Sequence, residues 1–385
     1  MKIVLCVTGS IAATEDLKLV HESQRHGFEV ECFMTPSATE IITPLSMEFA
    51  TKKPVTVNLT GYVEHVVNAQ ADLILVAPAT ANTISKFAHK IADTSVTTLL
   101  LTASGYDTPI LFVPSMHISM YDAISSNIDR IADEFPNVHF MKPVDEERKA
   151  KFPSKEDIVL EVERLVGDDA LDSLNVLVAT GATFEAMDAM RGITNRSSGK
   201  MGIEIAKEAY RRGANVTVLC AQVNVGVPSQ LARIDVESTR EMMDVIRSRI
   251  DGVDIYVSAA AISDFEISQV CEGKYPSDED FNIKCSALPK LLKEIKVLNP
   301  STFVVGFKAE AGVGVDDLIS RAKDRMLSYD VDLMVANDLL VENGGPGSDN
   351  NEVYLIDCDE VVKVPLNSKR VIAQNIVDKV VKLYR

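Results

Sequence analysis

The stretch "KIVLCVTGSIAA" at residues 2–13 decides what kind of fold this chain adopts. Apolar residues that favour β-strands run without a polar interruption, and Thr-Gly and small residues follow them. A run that is apolar on both sides is typical of a strand buried on both faces of a parallel sheet. The pattern predicts a buried strand that is followed directly by a helix at Gly9 and Ser10.

The second half of the chain repeats this design in "NVLVATGATFEA" at residues 175–186. In each half a helix then ends at a glycine before a second strand, in "RHGFEVECFMT" (25–35) and "RRGANVTVLCA" (211–221). A third pair of strands, in "DLILVAPATAN" (72–82) and "DIYVSAAAISD" (254–264), ends in Ala-rich loops. We therefore predict two doubly wound, Rossmann-like α/β domains with mainly parallel sheets, which bind ligands where the strands end.

Polar and Gly-rich segments lie between the two predicted domains and near the end of the second one. The charged stretch "KPVDEERKAKFPSKEDI" (142–158) is interpreted as a mobile flap or a solvated linker. A polar segment near residue 170 then separates a domain at 1–170 from a domain at 171–385. Near the end, "ENGGPGSDNNEVYLIDCDEVVKVPL" (342–366) combines a Gly-rich loop with a predicted β-hairpin.

Composition excludes several classes of protein. With 385 residues, of which 46% are hydrophobic and 25% charged, the chain is typical of a two-domain globular protein. The net charge of −17 argues against nucleic acid as a partner. No apolar run approaches the ~18 residues of a membrane-spanning helix. Cys6, Cys32, Cys220, Cys271, Cys285 and Cys358 form no CxxC pair. We expect a cytoplasmic protein without a membrane partner.

In the first half, small and hydroxyl residues follow the predicted strands. Gly9 and Ser10 lie where backbone N–H groups at a helix start bind phosphate. Ser37 follows the second strand, and Thr80 and Asn82 follow a later one. Neither Thr-Gly loop contains GxGxxG, so a mononucleotide is favoured over a dinucleotide and an NAD(P) oxidoreductase is disfavoured. Capping of loops and helices is the alternative explanation for these side chains.

The segment "VPSMHISMYD" (113–122) raises a separate question about His117. Its methionines, histidine and tyrosine are compatible with a soft metal site, a helix start in a core, or cofactor chemistry. No His or Cys stands at the spacing of partner ligands, so a metal site is not supported, and we expect Met116 and Met120 to pack in the interior.

In the second half, "GITNRSSGKMG" (192–202) opens a helix with Asn195 and other small polar residues, which fit an anion or acyl site or helix caps. Asp264 follows one strand, and Phe307 and Lys308 follow another. Lys274 lies in "EGKYP". Around one sheet edge, such residues could hold a nucleotide base and a triphosphate with magnesium.

Three segments of the first half together resemble the homo-oligomeric flavin-containing cysteine decarboxylases: "GSIAA", "APATANT" and "PSMHISMY". The resemblance implies a flavodoxin-like domain and an active-site role for His65, which would otherwise be taken for a surface-helix histidine. It also implies that FMN is bound by Gly9, Ser10, Ser37, Thr80 and Asn82.

The segments "ITNRSSGKMG", "AAISDF", "EGK", "GFKAE" and "VANDL" resemble phosphopantothenate-cysteine ligases. The whole chain is similar to the archaeal-type bifunctional phosphopantothenoylcysteine decarboxylase/phosphopantothenate-cysteine ligases of coenzyme A biosynthesis. The resemblance implies that Asn195 handles an acyl-cytidylate and Lys274 acts in catalysis, with Mg²⁺ whose ligands stay unassigned. It implies CTP contacts from Ser258, Ala259, Ala260, Asp264, Lys274, Phe307, Lys308, Lys323 and Arg325. It also implies trimer-based flavin domains with FMN at their contacts, and dimeric ligase domains.

The chain departs from the bacterial pattern at four places. Bacterial members have Asn where this chain has His117, and they carry a flap cysteine, which residues 136–158 lack. The last proton donor is therefore open between His117, Lys149 and Lys151. "SALPKLL" and the pair Lys323 and Arg325 also differ, so the nucleotide is CTP or ATP. A flavin-binding but regulatory first domain is the alternative function.

Overall fold

The computed structural model describes residues 1–142, 144–146, 149–275 and 282–385. The chain divides into two compact units, Met1–Gly167 and Asp168–Arg385. Within the described residues, the search for a helix both long and apolar enough to cross a membrane finds none.

The first unit contains a parallel six-stranded sheet in the order β3-β2-β1-β4-β5-β7. The strands of this unit, in this sheet and in a smaller one, are β1 (Lys2–Val7), β2 (Glu29–Met34), β3 (Val55–Thr56), β4 (Leu73–Ala79), β5 (Ile110–Pro114), β6 (Met116–His117), β7 (Val138–Phe140), β8 (Val144–Glu146) and β9 (Lys149–Lys151). Its helices are α1 (Asp16–Arg25), α2 (Pro36–Thr39), α3 (Pro44–Thr51), α4 (Glu64–Asn68), α5 (Ala81–Ala88), α6 (Ser95–Ser104), α7 (Ile118–Ala123), α8 (Ser125–Glu134) and α9 (Lys155–Leu165), with a 3₁₀ helix at Ile11–Glu15.

Both faces of this sheet are covered, as the uninterrupted apolar strands predict. Ile3 and Leu5 of β1 belong to one core cluster, and Val4 and Cys6 belong to the cluster on the other face. The carboxyl ends of the parallel strands therefore form the polar edge at which ligands bind in such folds.

The charged segment at 142–158, interpreted from sequence as a flap or linker, belongs to the first unit. Strands β8 and β9 form a three-stranded antiparallel sheet with β6, in which His117 is paired with the backbone of Lys149. Helix α9 follows. The side chains of Lys149 and Lys151, which sequence analysis named as proton donors, lie outside the described residues.

The second unit contains an eight-stranded sheet in the order β14-β13-β10-β15-β18-β19-β20-β21. The strands of this unit, in this sheet and in two smaller ones, are β10 (Asn175–Thr180), β11 (Phe184–Ala186), β12 (Gly192–Thr194), β13 (Asn215–Cys220), β14 (Ala232–Asp235), β15 (Ile255–Ser258), β16 (Phe265–Ile267), β17 (Cys285–Ala287), β18 (Phe303–Glu310), β19 (Leu333–Asp338), β20 (Asn350–Ile356) and β21 (Val361–Ser368). Its helices are α10 (Lys200–Arg211), α11 (Thr239–Arg249), α12 (Ile295–Leu298), α13 (Val315–Tyr329) and α14 (Lys369–Tyr384), with 3₁₀ helices at Ile250–Gly252 and Leu291–Lys293.

The predicted α/β fold with mainly parallel sheets is confirmed in both units. Strands β10, β13, β14, β15, β18 and β19 are parallel, and the predicted hairpin is the antiparallel pair β20 and β21 at the sheet edge. Two small antiparallel pairs, β11–β12 and β16–β17, lie outside the main sheet.

The repeated helix ends also match between the units. Gly27 follows α1 with φ +83°, and Gly213 follows α10 with φ +94°. In each case the next residue donates its N–H to a carbonyl in the last helical turn, from Phe28 to Ser23 and from Ala214 to Ala209. Glycine adopts this left-handed backbone without steric cost, so the sequence signal is a direct consequence of the cap.

Candidate functional sites at the strand ends

The first candidate site lies at the carboxyl ends of four adjacent strands, β2, β1, β4 and β5. Ser10 follows β1 and Ser115 follows β5, and their Oγ atoms are 3.3 Å apart. Thr80 follows β4 and accepts the N–H of Thr83 at 3.4 Å, which makes it the N-cap of α5. The capping alternative is thus observed at Thr80, in the same place where the predicted flavin contacts come together.

Gly9 lies against Ser37 without room for a side chain. A Cβ atom at Gly9 would be 2.7 Å from the Cβ of Ser37, a distance that real side chains do not tolerate. The ends of β1 and β2 therefore approach closely and leave an exposed backbone at Gly9. Asn82, the remaining predicted flavin contact, is exposed in the first turn of α5.

Thr8, which sequence analysis did not single out, holds this edge together. Its buried hydroxyl donates to the carbonyl of Pro78 at 2.6 Å and accepts the N–H of Thr80 at 3.1 Å. A hydroxyl residue at the end of an otherwise apolar strand was the available signal. The bond joins the ends of β1 and β4 and so positions Ser10 and Thr80 relative to each other.

His117 caps α7 and is exposed. Its Nδ1 accepts the N–H of Ser119 at 3.3 Å and lies 2.8 Å from the Ser119 hydroxyl. Because Nδ1 accepts a backbone N–H, the neutral ring carries its proton on Nε2. Met116 packs against the core, as expected, whereas Met120 is 51% exposed because α7 buries none of its residues. The expectation that Met120 also packs is wrong for the isolated chain.

His65 lies on α4, a short helix that packs against α6. The ring is half-buried, and its Nδ1 atom is shielded from solvent without a hydrogen-bond partner among the described residues. The hydrogen bonds that join the strand ends involve Thr8, Ser10, Thr80 and Ser115 and not His65. Among the described residues, hydrogen bonds thus link the strand ends that carry Ser10 and Thr80 but do not extend to His65.

The second candidate site forms around the start of α10. The Thr180 hydroxyl, at the end of β10, donates to the carbonyl of Gly199 at 2.9 Å. A Cβ atom at Gly202 would be 2.5 Å from the Cβ of Thr180, so glycine lets α10 pack closely on β10. Asn195 donates from Nδ2 to the carbonyl of Ala261 at 3.1 Å. This bond joins the predicted acyl-site residue to the loop after β15, which follows Ser258 and begins with Ala259 and Ala260.

Phe307 and Lys308 lie within β18 and not after a strand, so the expectation from sequence is wrong for both. Successive side chains of a strand point to opposite faces of the sheet, so these two neighbours are separated. Phe307 and Ala259 pack against one core cluster of the sheet, on the side of α10. Lys308 points to the opposite face, where it lines a cavity of about 470 Å³ with Arg325 and other residues of α13. Lys323 is exposed and does not line that cavity. Among the predicted CTP contacts, Ala259 and Phe307 thus lie on the α10 side of the sheet, and Lys308 and Arg325 lie on the α13 side.

The α13 cavity is mixed in charge. Lys308 pairs with Glu310 at 2.7 Å, and Arg321 pairs with the same carboxylate at 3.2 Å. The Lys308 ammonium is the first cause that lowers the pKa of Glu310. Three cations (Lys308, Arg321 and Arg325) and two carboxylates (Glu310 and Asp324) line it, which leaves one net positive charge. The net charge of the cavity lining therefore favours an anion, and Arg321 is a lining residue that was not named from the sequence.

The two remaining predicted contacts, Asp264 and Lys274, are both exposed. Asp264 is exposed and forms an ion pair with Lys290, which belongs to the segment "SALPKLL". Lys274 is exposed in the loop at 271–275, beyond which residues 276–281 lie outside the described residues. Asp188 and Arg191, also missed from sequence, bind the backbone of this loop at Tyr275.

One group of acidic and thiol side chains, Asp357, Cys358 and Asp359, has the spacing of metal ligands within the described part of the chain. Asp357 already forms an ion pair with Lys379 and accepts the N–H groups of Asp359 and Glu360. The three side chains lie in the turn between β20 and β21, and these bonds give Asp357 a structural role in that turn without a metal ion.

Two family models match the chain in succession. Residues 1–167 match the model described as Flavoprotein, and residues 171–384 match the model described as DNA/pantothenate metabolism flavoprotein C-terminal domain.

Three relatives match over almost the full chain, and each is a coenzyme A biosynthesis bifunctional protein CoaBC. The protein from Thermococcus kodakarensis is 44% identical over 99% of this chain and 95% of its own length. The protein from Methanocaldococcus jannaschii is 37% identical over 100% and 94%, and that from Vibrio vulnificus is 31% identical over 98% and 97%. The chain belongs to the family of coenzyme A biosynthesis bifunctional proteins.

Proposed function

We propose that this chain is a bifunctional enzyme of coenzyme A biosynthesis, a phosphopantothenate-cysteine ligase and a phosphopantothenoylcysteine decarboxylase. The observation that carries the proposal is the full-length similarity to CoaBC of Thermococcus kodakarensis. The two polar strand-end sites support it, because each unit then has a place for its own reaction. We assign the decarboxylase to residues 1–170 and the ligase to residues 171–385.

The ligase reaction must activate a carboxylate, which is a poor electrophile. In the proposed reaction the carboxylate of 4'-phosphopantothenate attacks the α-phosphorus of CTP, forming an acyl-cytidylate and releasing pyrophosphate. The amine of cysteine then attacks the acyl carbon, loses a proton and displaces CMP, which leaves the amide. Charge on the transferring phosphates is offset by cationic side chains and by Mg²⁺ that arrives with the nucleotide.

The residues of the second unit suit these steps. Asn195 lies beside the loop after β15 and holds the acyl-nucleotide, while Ser258, Ala259, Ala260 and Phe307 receive the cytidine. Asp264 is proposed to orient the nucleotide. Cationic contacts to its phosphates come from Lys274, Lys308, Lys323 and Arg325. CTP is the proposed nucleotide, and ATP is the competitor that the assay must include.

The first unit has the features that a bound FMN requires. Gly9 exposes backbone where a Cβ atom would collide with Ser37, and the hydroxyls of Ser10 and Thr80 surround the same edge. Ser37 and Asn82 complete the proposed contacts. FMN supplies the chemistry of taking two electrons from the cysteine side chain, so that the resulting thiocarbonyl acid loses CO₂, and of returning them afterwards.

The chain's own residues orient the substrate and handle protons. His117 can bind the substrate carboxylate through Nε2–H, and it can supply the last proton only as the doubly protonated imidazolium, in which Nδ1–H would donate to the Ser119 hydroxyl 2.8 Å away. Lys149 and Lys151 are the other proposed donors. His65 is proposed as a base or positioning group, and its buried, unpartnered Nδ1 is compatible with a contact made by a ligand or a second chain.

We also propose a homo-oligomer, with trimer-based flavin units and dimeric ligase units. Large apolar side chains within three residues in sequence of Ser10, His65 and His117 are exposed in the single chain: Ile11 (77%), Tyr62 (84%) and Met120 (51%). Burying them against another chain stabilises an assembly. Light scattering on the purified protein tests this, and a monomer contradicts it.

The enzymatic proposal is tested with the purified full chain. It should be yellow, and it should release pyrophosphate only when phosphopantothenate and CTP are both present. Phosphopantothenoylcysteine supplied directly should yield CO₂ without any nucleotide. Colourless protein that releases no pyrophosphate contradicts the proposal. Pyrophosphate release without decarboxylation of supplied substrate would instead support a regulatory first unit, which the full-length relatives do not favour.

A further inference from the structure

We infer that Asp188 is a positioning residue for Lys274 in the ligation reaction. The inference deepens the proposed function and rests on it, because Lys274 is the lysine proposed to contact the nucleotide. The observation is a set of hydrogen bonds from the tip of the β11–β12 hairpin to the residues on both sides of Lys274.

Asp188 accepts hydrogen bonds on both of its buried carboxylate oxygens. Oδ1 accepts the N–H groups of Met190 at 2.9 Å and Arg191 at 2.7 Å. Oδ2 accepts Nε of Arg191 at 2.8 Å and the N–H of Tyr275 at 3.1 Å. The Arg191 guanidinium is the first cause that lowers the pKa of Asp188. The group therefore stays ionised and fully bonded inside the protein.

These bonds extend to the loop that carries Lys274. Arg191 donates from Nη2 to the carbonyl of Tyr275 at 2.9 Å, so the Asp188–Arg191 pair engages both backbone groups of the residue after Lys274. The N–H of Ala189 donates to the carbonyl of Gly273 at 3.0 Å, which engages the residue before it.

The Lys274 side chain itself stays exposed while its backbone is held. A lysine is a point charge on a flexible four-carbon stem, so the position of its ammonium depends on where the backbone is fixed. Strand β12 of the same hairpin leads directly into Asn195. One hairpin thus connects two residues proposed for the ligation, and Asp188 is the anchor on the lysine side.

The first test replaces Asp188 with Asn in the full chain. An amide has a single accepting oxygen, so it cannot accept hydrogen bonds at both carboxylate positions, and its NH2 group would face N–H donors at one of them. We expect pyrophosphate release to slow by about 10- to 100-fold, since a displacement of about 1 Å costs that much in a positioned reaction. Decarboxylation of supplied phosphopantothenoylcysteine should not change.

The matched control is Asp254→Asn. Asp254 also accepts a backbone N–H, that of Asn175 at 2.7 Å, but it does so where β10 and β15 begin, at the opposite sheet edge. This variant should keep the parent rate of pyrophosphate release. An equal loss in both variants contradicts a specific role for Asp188.

The second test separates positioning from general stability. If Asp188 acts through Lys274, then Asp188→Asn causes no further loss of rate in a chain that already carries Lys274→Ala. Losses that multiply in the double variant overturn the inference. Arg191→Lys, which loses the two-pronged bond but keeps the charge, should show a smaller loss with the same dependence on Lys274.

These experiments distinguish a failure of the proposed function from a failure of the positioning role of Asp188. If the parent chain releases no pyrophosphate, the proposed function is wrong. If the parent is active and Asp188→Asn matches it in rate, the function stands and the positioning role is overturned.

Discussion

At the scale of single residues, Gly9 is the most constrained position of the proposed flavin site. Its contact with Ser37 leaves no room for a methyl group. We expect Gly9→Ala to separate the ends of β1 and β2 and to abolish most flavin binding, while pyrophosphate release by the second unit persists. Visible absorbance per mole of purified protein measures the flavin.

The control is Gly105→Ala, in the same unit, where a Cβ atom comes no closer than 3.4 Å to the carbonyl oxygen of Thr102. That variant should stay yellow. Full flavin content in Gly9→Ala would contradict the assignment of the flavin site to the backbone at Gly9.

The role of His117 is tested by His117→Asn. Asn can accept the Ser119 N–H and can donate to a carboxylate, but it cannot release a proton near neutral pH. We therefore expect flavin reduction by the substrate to persist and flavin reoxidation to slow. Stopped-flow absorbance follows the two phases separately. An unchanged rate of reoxidation would show that His117 does not donate the last proton. Lys151→Ala would then be the variant that tests the donor.

Asp16 gives the first unit a pH-dependent stability. Its carboxyl group is buried without a hydrogen-bond partner among the described residues, and burial raises its pKa well above the usual value, with Glu15 as a second cause. Below the usual carboxyl pKa of about 4, both the folded and unfolded states hold the proton. As the pH rises above that value, the unfolded state loses the proton first, so folding is destabilised by up to about 1.4 kcal/mol per pH unit.

Asp16→Asn removes this dependence. The unfolding temperature of the variant, relative to the parent, should therefore rise between pH 5 and pH 8. Asp133→Asn, at an exposed position on α8, is the control and should show a constant difference. A constant difference for Asp16→Asn as well would show that the buried group does not titrate in this way.

At the scale of elements, helix α13 distinguishes two cations that look equivalent in the sequence. Lys323 and Arg325 are two positions apart, which is about 200° around a helix, so they cannot share a face. Arg325 lines the cavity with Lys308, and Lys323 is exposed elsewhere. We expect Arg325→Ala to raise the KM for CTP more than Lys323→Ala does. Equal effects in steady-state kinetics would contradict the assignment of the cavity to the nucleotide.

Local chemistry was enough to predict the three repeated strands of each unit, the helix ends before the second strands and the hairpin near the end of the chain. The apolar runs of β1 and β10, the glycines at 27 and 213 and the Gly-rich approach to β20 each follow from backbone or burial preferences that a short window contains. The segment at 142–158 was left open because its pairing partner is β6, which is separated in sequence and contains only two residues.

The candidate sites were predictable only in part, for the same reason. The strand-end residues follow from fold topology, which places the ends of parallel strands at one edge. The bond from Asp188 to Tyr275 joins positions 87 apart, and the ion pair of Asp264 with Lys290 joins positions 26 apart. No local pattern specifies such pairs. The opposite orientations of Phe307 and Lys308 were predictable from strand alternation, and grouping them overlooked it.

At the scale of the whole molecule, the chain combines two units, each with its own sheet and its own core clusters on both faces. The proposed reactions follow one another, because the product of the ligase is the substrate of the decarboxylase. The cytoplasmic location expected from the sequence stays a prediction.

The central claim, that one chain performs both reactions in succession, is tested most directly by a product ratio. The purified protein is incubated with phosphopantothenate, CTP, Mg²⁺ and cysteine labelled in its carboxyl carbon, and pyrophosphate and labelled CO₂ are measured together. We predict equal final amounts of the two, with CO₂ following pyrophosphate in time. Pyrophosphate without labelled CO₂, or neither product, would contradict it.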